Sequence, residues 1–569
     1  MKKKSLKNWI KNHKVQLIIF FIYLVVTFVT IVFHEAWEDE AQAWLTVRDC
    51  SLFELIGRMK VEGHFLPWYL IIMPFAKLGF PYITQNLLSW LICSVSAWLF
   101  LEHLPTKLFK RAIFIFTLPM IYLFPVISRC YCLIPLATIF LIMSYKNRFS
   151  HPFRYALSIV LMSVTHISCF MFSFILGIEF FLEWIKLHKS FPKGKNRRIV
   201  ASFCLAIILV ILSFLPLFGS LNGASGIYLD ASSFDIKHFL FGNVIFYLGK
   251  FSSFVPIQIT FLLAGFYAAY LLNSDKKLFL LFCLCVLWQF SLSEFLFPIT
   301  IIQRVFIPVF YLVFFLSRRE KATPSPRTLS PVGFTLVMLL LLYIIFETGN
   351  LFYSSVCFSL VVLYCLPKVS KKLWNRDYTP VFKRLGSLAL LSLALISVTE
   401  GIFYIYNDIN YTFTDSKTTA NYIESELIKP DTPMPIFLTD LESSIIFSSI
   451  IAHVKNPSFR MYDMNIEKYY TYSIQLIFPE DFKSEEKDLA SVCESLDKEA
   501  DCYYIVFFND TRDVLAEFLS DDSSLFQTQL ASGKINKIFD SSIYEDGWDN
   551  TANEHYRIYK VSTAESAQT

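Results

Sequence analysis

The sequence predicts a polytopic α-helical membrane protein of about 13 transmembrane helices, with interfacial helices in its first outer loop and a small C-terminal extracytoplasmic α/β domain. Three observations predict it. The 569 residues are 55% hydrophobic and only 17% charged, with 59 Phe and a mean hydropathy of +0.49, which excludes a soluble protein of two or three domains. Basic clusters recur between long apolar runs, and the composition changes abruptly near residue 407. Residues 407–569 carry 29 acidic against 13 basic residues, a net charge of −16, whereas the preceding 406 carry 18 against 38, a net of +20. Such segregation argues for two surroundings, and the overall charge of +4 says nothing about nucleic acid.

The basic N-terminus, from Lys2 to Lys14, precedes an apolar span at about 15–33 that reads as a retained signal anchor. Further spans are expected near 84–101, 111–127, 130–145, 155–168, 169–185, 199–219, 254–272, 278–292, 304–317, 332–347, 352–367 and 386–406. The clusters Lys107–Arg111, Lys146–Arg154, Lys186–Arg198, Lys276–Lys277, Arg318–Lys321 and Lys368–Arg384 mark the cytoplasmic side. That gives a multi-pass cell-membrane protein with a cytoplasmic N-terminus and an acidic tail on the opposite face. The stretch 66–80 holds two prolines and no basic cluster follows it, so an interfacial helix is expected there, with Arg48 to Lys60 as an amphipathic partner. The domain division is 1–406, whose first outer loop spans 34–83, and 407–569. In the tail, short apolar runs at 435–439, 459–462, 503–508 and 556–561 alternate with helix-like segments, the pattern of an α/β unit.

The 12 cysteines sit mostly inside apolar runs without CxxC spacing and read as small core residues, with Cys493 and Cys502 a possible disulfide pair in the tail. Neither a P-loop nor a GxGxxG fingerprint is present.

The chemistry concentrates after the first span, where Glu38, Asp39 and Glu40 stand in a row between Trp37 and Trp44. Carboxylates at a bilayer lip are costly unless a cation, a substrate or water relieves them. On the derived topology the same face collects His34, Glu35, Glu62 and His64, then Arg129 and Tyr131, His166, and Arg304. An acid that takes a proton and bases that hold a departing phosphate form a consistent set. Each member has a plain structural alternative. The acids could be a solvated flank, Arg129 could snorkel from a helix end, and the histidines and Glu62 could be packing residues. Trp44 and Trp68 are what any interfacial aromatic belt shows.

The runs Glu-Asp-Glu-Ala-Gln-Ala-Trp-Leu-Thr-Val-Arg-Asp at 38–49, Glu-Gly-His at 62–64, Ser-Arg-Cys-Tyr at 128–131 and Thr-His at 165–166 resemble the bacterial branch of the C-type (GT-C) membrane glycosyltransferases. That superfamily includes the protein O-mannosyltransferases and the lipid A aminoarabinose transferases. The resemblance covers roughly residues 15–315 and is most specific in the first loop. It implies an inverting glycosyltransferase that moves a sugar from a polyprenyl-phosphate-linked donor to an extracytoplasmic acceptor hydroxyl. Carried over, Asp39 is the general base with Glu40 as its partner, and Arg129, with His64 and Arg304, holds the donor phosphate. Glu38, Glu62, Tyr131, His166 and Trp44 fall among the substrate-binding positions. His64 departs from the family context, which often reads His-Pro-Pro where this chain has His-Phe-Leu-Pro.

No cofactor is expected beyond the lipid-linked donor, although three adjacent acids can bind a divalent metal. The expected partners are that donor, membrane lipids and a glycan, lipid or protein acceptor, with no nucleic acid. The alternative is a polytopic transporter or lipid flippase, against which stand the clustering of charges at span ends and the sparse 17 glycines. A membrane scaffold displaying its acidic tail is a further alternative, one that would survive loss of Asp39.

Overall fold

The computed structural model describes residues 3–62, 64–217, 307–318, 379–411, most of 414–472, and 502–510, 535–541 and 554–561, with Tyr267, Leu271, Leu281, Cys285 and Ala531 as isolated positions. The spans expected near 254–272, 278–292, 332–347 and 352–367 lie outside the described residues, as do Arg304 and Cys493. The chain is mostly helical. Among the described residues five helices are long and apolar enough to cross a membrane, namely Lys14–Phe33, Ile83–His103, Ile167–Ser190, Lys193–Leu217 and Arg384–Asn410.

The basic start forms α1 (Lys3–Asn12), followed by α2 (Lys14–Phe33). The first loop then folds as three short helices, α3 (Glu38–Asp49), α4 (Leu52–Glu62) and α5 (Pro67–Lys77). The acidic run occupies the first turn of α3, where carboxylates favour the positive end of the helix dipole, and the Glu40 side chain accepts from the Trp37 N–H at 3.2 Å. The expected partner helix and interfacial helix correspond to α4 and α5. Phe65, between them, wedges against Phe214 with ring centroids 4.9 Å apart and against Val160 and Val164. That contact seats the turn carrying His64.

Beyond α6 (Ile83–His103) and α7 (Leu108–Ile115), the stretch read as one span at 111–127 is not one helix. It breaks after α7 into a π turn at Pro119–Leu123 and irregular backbone to Ser128. Pro119 and Pro125 remove donors and disfavour helical geometry before them. Residues 117–135 are buried throughout, the condition under which irregular backbone survives at membrane depth. The chain continues through α8 (Leu133–Tyr145), α9 (Pro152–Ser163), α10 (Ile167–Leu187) and α11 (Lys193–Phe214), then α12 (Ile307–Ser317) and α13 (Thr379–Asn410).

The irregular stretch is clasped by α13. The Leu118 N–H donates to Ser397 Oγ at 3.1 Å, and a Cβ on Gly401 would come within 2.6 Å of Ile121 Cγ2. Tyr404 packs on Tyr122 at 5.3 Å, and the Tyr122 hydroxyl donates to Asp408 Oδ1 at 2.9 Å. At the other end of the helices the basic residues are tied down. Arg318 pairs with Glu179 at 2.6 Å and donates to the Tyr145 hydroxyl, Arg148 pairs with Glu183 at 2.6 Å, and Arg111 donates to the Leu101 carbonyl at 2.7 Å.

Among the described residues the tail forms a mixed six-stranded sheet in the order β3-β2-β1-β4-β6-β5. The strands are β1 (Ile436–Thr439), β2 (Met461–Asp463), β3 (Lys468–Tyr470), β4 (Tyr503–Asp510), β5 (Ile535–Asp540) and β6 (Glu554–Val561). β1 runs parallel to β2 and β4, and the outer strands are antiparallel. Two short helices, α14 (Ser416–Tyr422) and α15 (Ser448–His453), pack with it. β1, β2, β4 and β6 were expected from the apolar runs; β3 and β5 were not.

The sheet does not stand apart. Leu45 of α3, wholly buried, belongs to the same apolar cluster as Phe437, Phe447, Ile451 and Tyr556, and Ser448 Oγ donates to Gln42 Oε1 at 3.1 Å. Arg58 lies over the Tyr472 ring at 4.6 Å, and the Thr414 N–H donates to Glu35 Oε2 at 2.9 Å. The tail is thus fastened to α3 and α4. Leu45→Ala should cost about 2–5 kcal/mol and loosen this seam, read as a lower melting temperature and faster proteolytic release of the tail.

Candidate functional site

Asp39, Arg129 and His64 come together from three separate segments. Asp39 sits in the first turn of α3, Arg129 at the end of the buried irregular stretch, and His64 in the turn between α4 and α5. Arg129 Nη1 lies 3.1 Å from Asp39 Oδ1, and its Nη2 lies 2.8 Å from His64 Nε2. A guanidinium only donates, so His64 Nε2 accepts and the proton sits on Nδ1. Burial and the adjacent Arg129 charge push His64 down to about 3, which keeps it a neutral acceptor at physiological pH. Arg129 is itself held above its usual range: burial opposes its charge, but Asp39 and the surrounding phenols and thiol outweigh it. Its side chain is 10% exposed while that of Asp39 is 39% exposed. The carboxylate is therefore the accessible partner.

His166 and Tyr131 complete one wall. The His166 ring lies 6.0 Å from His64 and 5.3 Å from Tyr131, and its Nδ1 accepts from the Ser168 N–H at 3.1 Å. Burial, reinforced by His64 and Arg129, holds His166 well below the normal histidine range. The neutral ring accepting on Nδ1 carries its proton on Nε2.

Glu40 is placed differently from its neighbour. Its carboxylate is wholly buried and accepts from the Ser128 N–H, from Ser128 Oγ at 2.9 Å and from the Trp37 N–H, while His34 Nε2 stands 3.0 Å away. His34 Nδ1 in turn meets Asp408 Oδ2 at 2.9 Å. The imidazole thus lies between two carboxylates. Burial drives its pKa down, but Glu40 and Asp408 outweigh that and hold it well above the ordinary value, so His34 is an imidazolium clasped between α3 and α13. Glu40 meets the site through Ser128, the residue before Arg129, rather than through a contact with Arg129 itself.

Glu62 collects Arg58 Nε at 2.8 Å, the Tyr69 hydroxyl at 3.2 Å and Gln42 Nε2 at 3.4 Å. Since Gln42 also accepts from tail Ser448, Glu62 connects the tail to the turn that carries His64. Glu38 is half-buried in the first turn of α3. Trp44 is buried, with its ring edge-on to Tyr82 at 6.3 Å, and serves as packing beside the site.

Sequence reasoning missed Ser128, Asp408, Arg58, Tyr69 and the whole tail seam. Asp408 alone carried a signal, an acid two residues beyond the last expected apolar span. A separate apolar cavity of about 440 Å³, bordered by Thr106, Lys110, Leu316 and Leu390, lies at the basic end, away from this centre. No family model matches the chain, and no curated protein matches it.

The His34 clasp has a definite pH signature. Its folded pKa lies above the ~6.5 of an unfolded histidine, so its stabilisation is complete below ~6.5 and drains away as pH rises through the folded value. His34→Gln removes the cation between two buried carboxylates and should cost about 3 kcal/mol or more. Melting curves of the purified protein from pH 6 to pH 10 should show a falling stability in the wild type, and a lower, flatter profile in the variant.

Proposed function

We propose that this chain is an inverting glycosyltransferase that moves a sugar from a polyprenyl-phosphate-linked donor to an extracytoplasmic acceptor hydroxyl at the membrane surface. The observation that carries the reading is the contiguous chain Asp39, Arg129, His64, in which a partly exposed carboxylate lies 3.1 Å from a buried guanidinium. Attack of the acceptor oxygen on the anomeric carbon breaks the bond to the donor phosphate. The electron pair stays on the phosphate oxygen, and the hydroxyl proton passes to Asp39.

Arg129 and Asp39 are paired before substrate arrives, which suggests an order of events. A donor phosphate competes with Asp39 for the guanidinium, so donor binding frees the carboxylate to act as base only once the leaving group is gripped. His64 keeps its bond to Nη2 throughout and fixes the plane of the guanidinium. The donor's isoprenoid reaches this depth from the bilayer, and exposed Leu70, Leu78 and Phe80 on and beside α5 offer it an apolar approach. Glu40 is a positioning residue here, holding Ser128 and therefore Arg129.

Membranes containing the protein should transfer radiolabelled sugar from a polyprenyl-phosphate donor to endogenous envelope acceptor. Asp39→Asn should lower turnover about 10²–10⁴-fold with folding intact, and near-normal turnover would reject the base assignment. Arg129→Ala should chiefly raise the donor KM; an unchanged KM would reject its phosphate role.

A further inference from the structure

At the basic end of the helices, the apolar cavity of about 440 Å³ lies among α7, α12 and α13, lined by Phe109 of the first, Leu316 of the second and Leu388 and Leu391 of the third, with Tyr267 and Leu271 also on its border. The volume falls within the range of small-molecule sites. Two hydroxyls on the lining have their protons committed to the chain that carries them. Thr117 Oγ1 donates to the Phe114 carbonyl and Ser317 Oγ to the Phe314 carbonyl, both at 2.6 Å. Water needs several polar partners to settle in such a space, whereas hydrocarbon needs none.

The cavity reaches the outer surface of the helices. Phe109 and Leu388 on its border are 50% and 59% exposed, and Leu388 continues the apolar stripe that α13 presents outward through Leu385 and Leu395. In a bilayer that stripe meets lipid, so a chain can enter from the side.

Among the described residues one charged side chain lines the cavity, that of the exposed Lys110. Its neighbour Arg111 is committed to the Leu101 and Glu102 carbonyls at 2.7 and 3.0 Å, while Lys110 is in no ion pair among the described residues. Lys107, also exposed, stands one turn before it. No carboxylate lines the space. The border therefore favours an anion, and the interior favours an apolar chain.

We infer that this cavity binds an anionic glycerophospholipid of the adjoining leaflet, with one acyl chain among α7, α12 and α13 and the headgroup phosphate on Lys110. Basic residues beside a gap between membrane helices select anionic headgroups, and a choline cation finds no acid here to meet it. An acyl chain is commensurate with the space, whereas a polyprenyl chain is much longer than it. Thr117 and Ala394 also border the cavity. Thr117 precedes Leu118, whose N–H donates to Ser397 Oγ one turn past Ala394. The lipid chain thus packs directly beside the contact with which α13 clasps the start of the irregular stretch. Such a lipid is held whatever reaction the other end of the molecule performs.

The test is native mass spectrometry of the full-length protein released from detergent micelles, titrated with palmitoyl-oleoyl phosphatidylglycerol, the matching phosphatidylcholine, or undecaprenyl phosphate. The wild type should retain one phosphatidylglycerol at several-fold lower concentration than phosphatidylcholine. Lys110→Gln, a change at an exposed position, should weaken that retention about fivefold. Ala394→Phe fills the space from α13 and should abolish it, whereas lipid adhering to the outer surface is indifferent to this change. Equal retention of the two phospholipids, or unchanged retention in Lys110→Gln, would overturn the site, and so would unchanged retention in a folded Ala394→Phe protein. Preference for undecaprenyl phosphate would give the cavity to a carrier lipid, and a dimer that excludes every lipid would give it to a second copy of the chain; either result overturns the phospholipid assignment.

Discussion

A carboxylate with no solvent access must be met by donors and positive charge, or its burial would cost more than the helices around it could return. Glu40 is met by Ser128, Trp37 and His34, and the rest of this end of the molecule is arranged around that requirement. Its bond to Ser128 fixes the backbone one residue before Arg129. Its bond to His34 recruits Asp408, and Asp408 recruits Tyr122. The last long helix, the first long helix and the irregular buried stretch are thereby held to a single point.

Adjacent acids can have opposite fates because a helix turns 100° per residue. Asp39 points where solvent and a guanidinium reach it, whereas Glu40 points inward and is saturated. The same division separates the histidines. His64 and His166 are kept neutral by burial beside Arg129, and His34 is kept charged by two carboxylates. Identical side chains therefore serve as neutral acceptors or as a cation according to what surrounds them.

The membrane helices and first-loop helices that are described were legible because length and apolarity alone decide them, as with Lys14–Phe33 and Pro67–Lys77. Summed hydropathy misled at 111–127, where Pro119 and Pro125 interrupt a run that is apolar because it is buried in protein rather than in lipid. In the tail, β3 is three residues and β5 carries Lys537 and Asp540, so neither shows an alternating apolar pattern; their pairing is supplied by neighbours. Asp39, Arg129 and His64 were legible as a conjunction of chemistry at span ends. The anchor beneath them was not, since His34 and Asp408 stand 374 positions apart, and no local pattern reports a contact of that range.

That separation also orders the life of the chain. A ribosome makes α3 within the first fifty residues, yet Leu45 has no apolar shelter until Phe437 to Tyr556 have been synthesised and folded against it. The nascent protein therefore carries an unfinished α3 through most of its elongation. A truncated product, released early by a stalled message, would lack both the clasp at Asp408 and the cover over Leu45, and would present that defect to the proteases that clear incomplete membrane proteins.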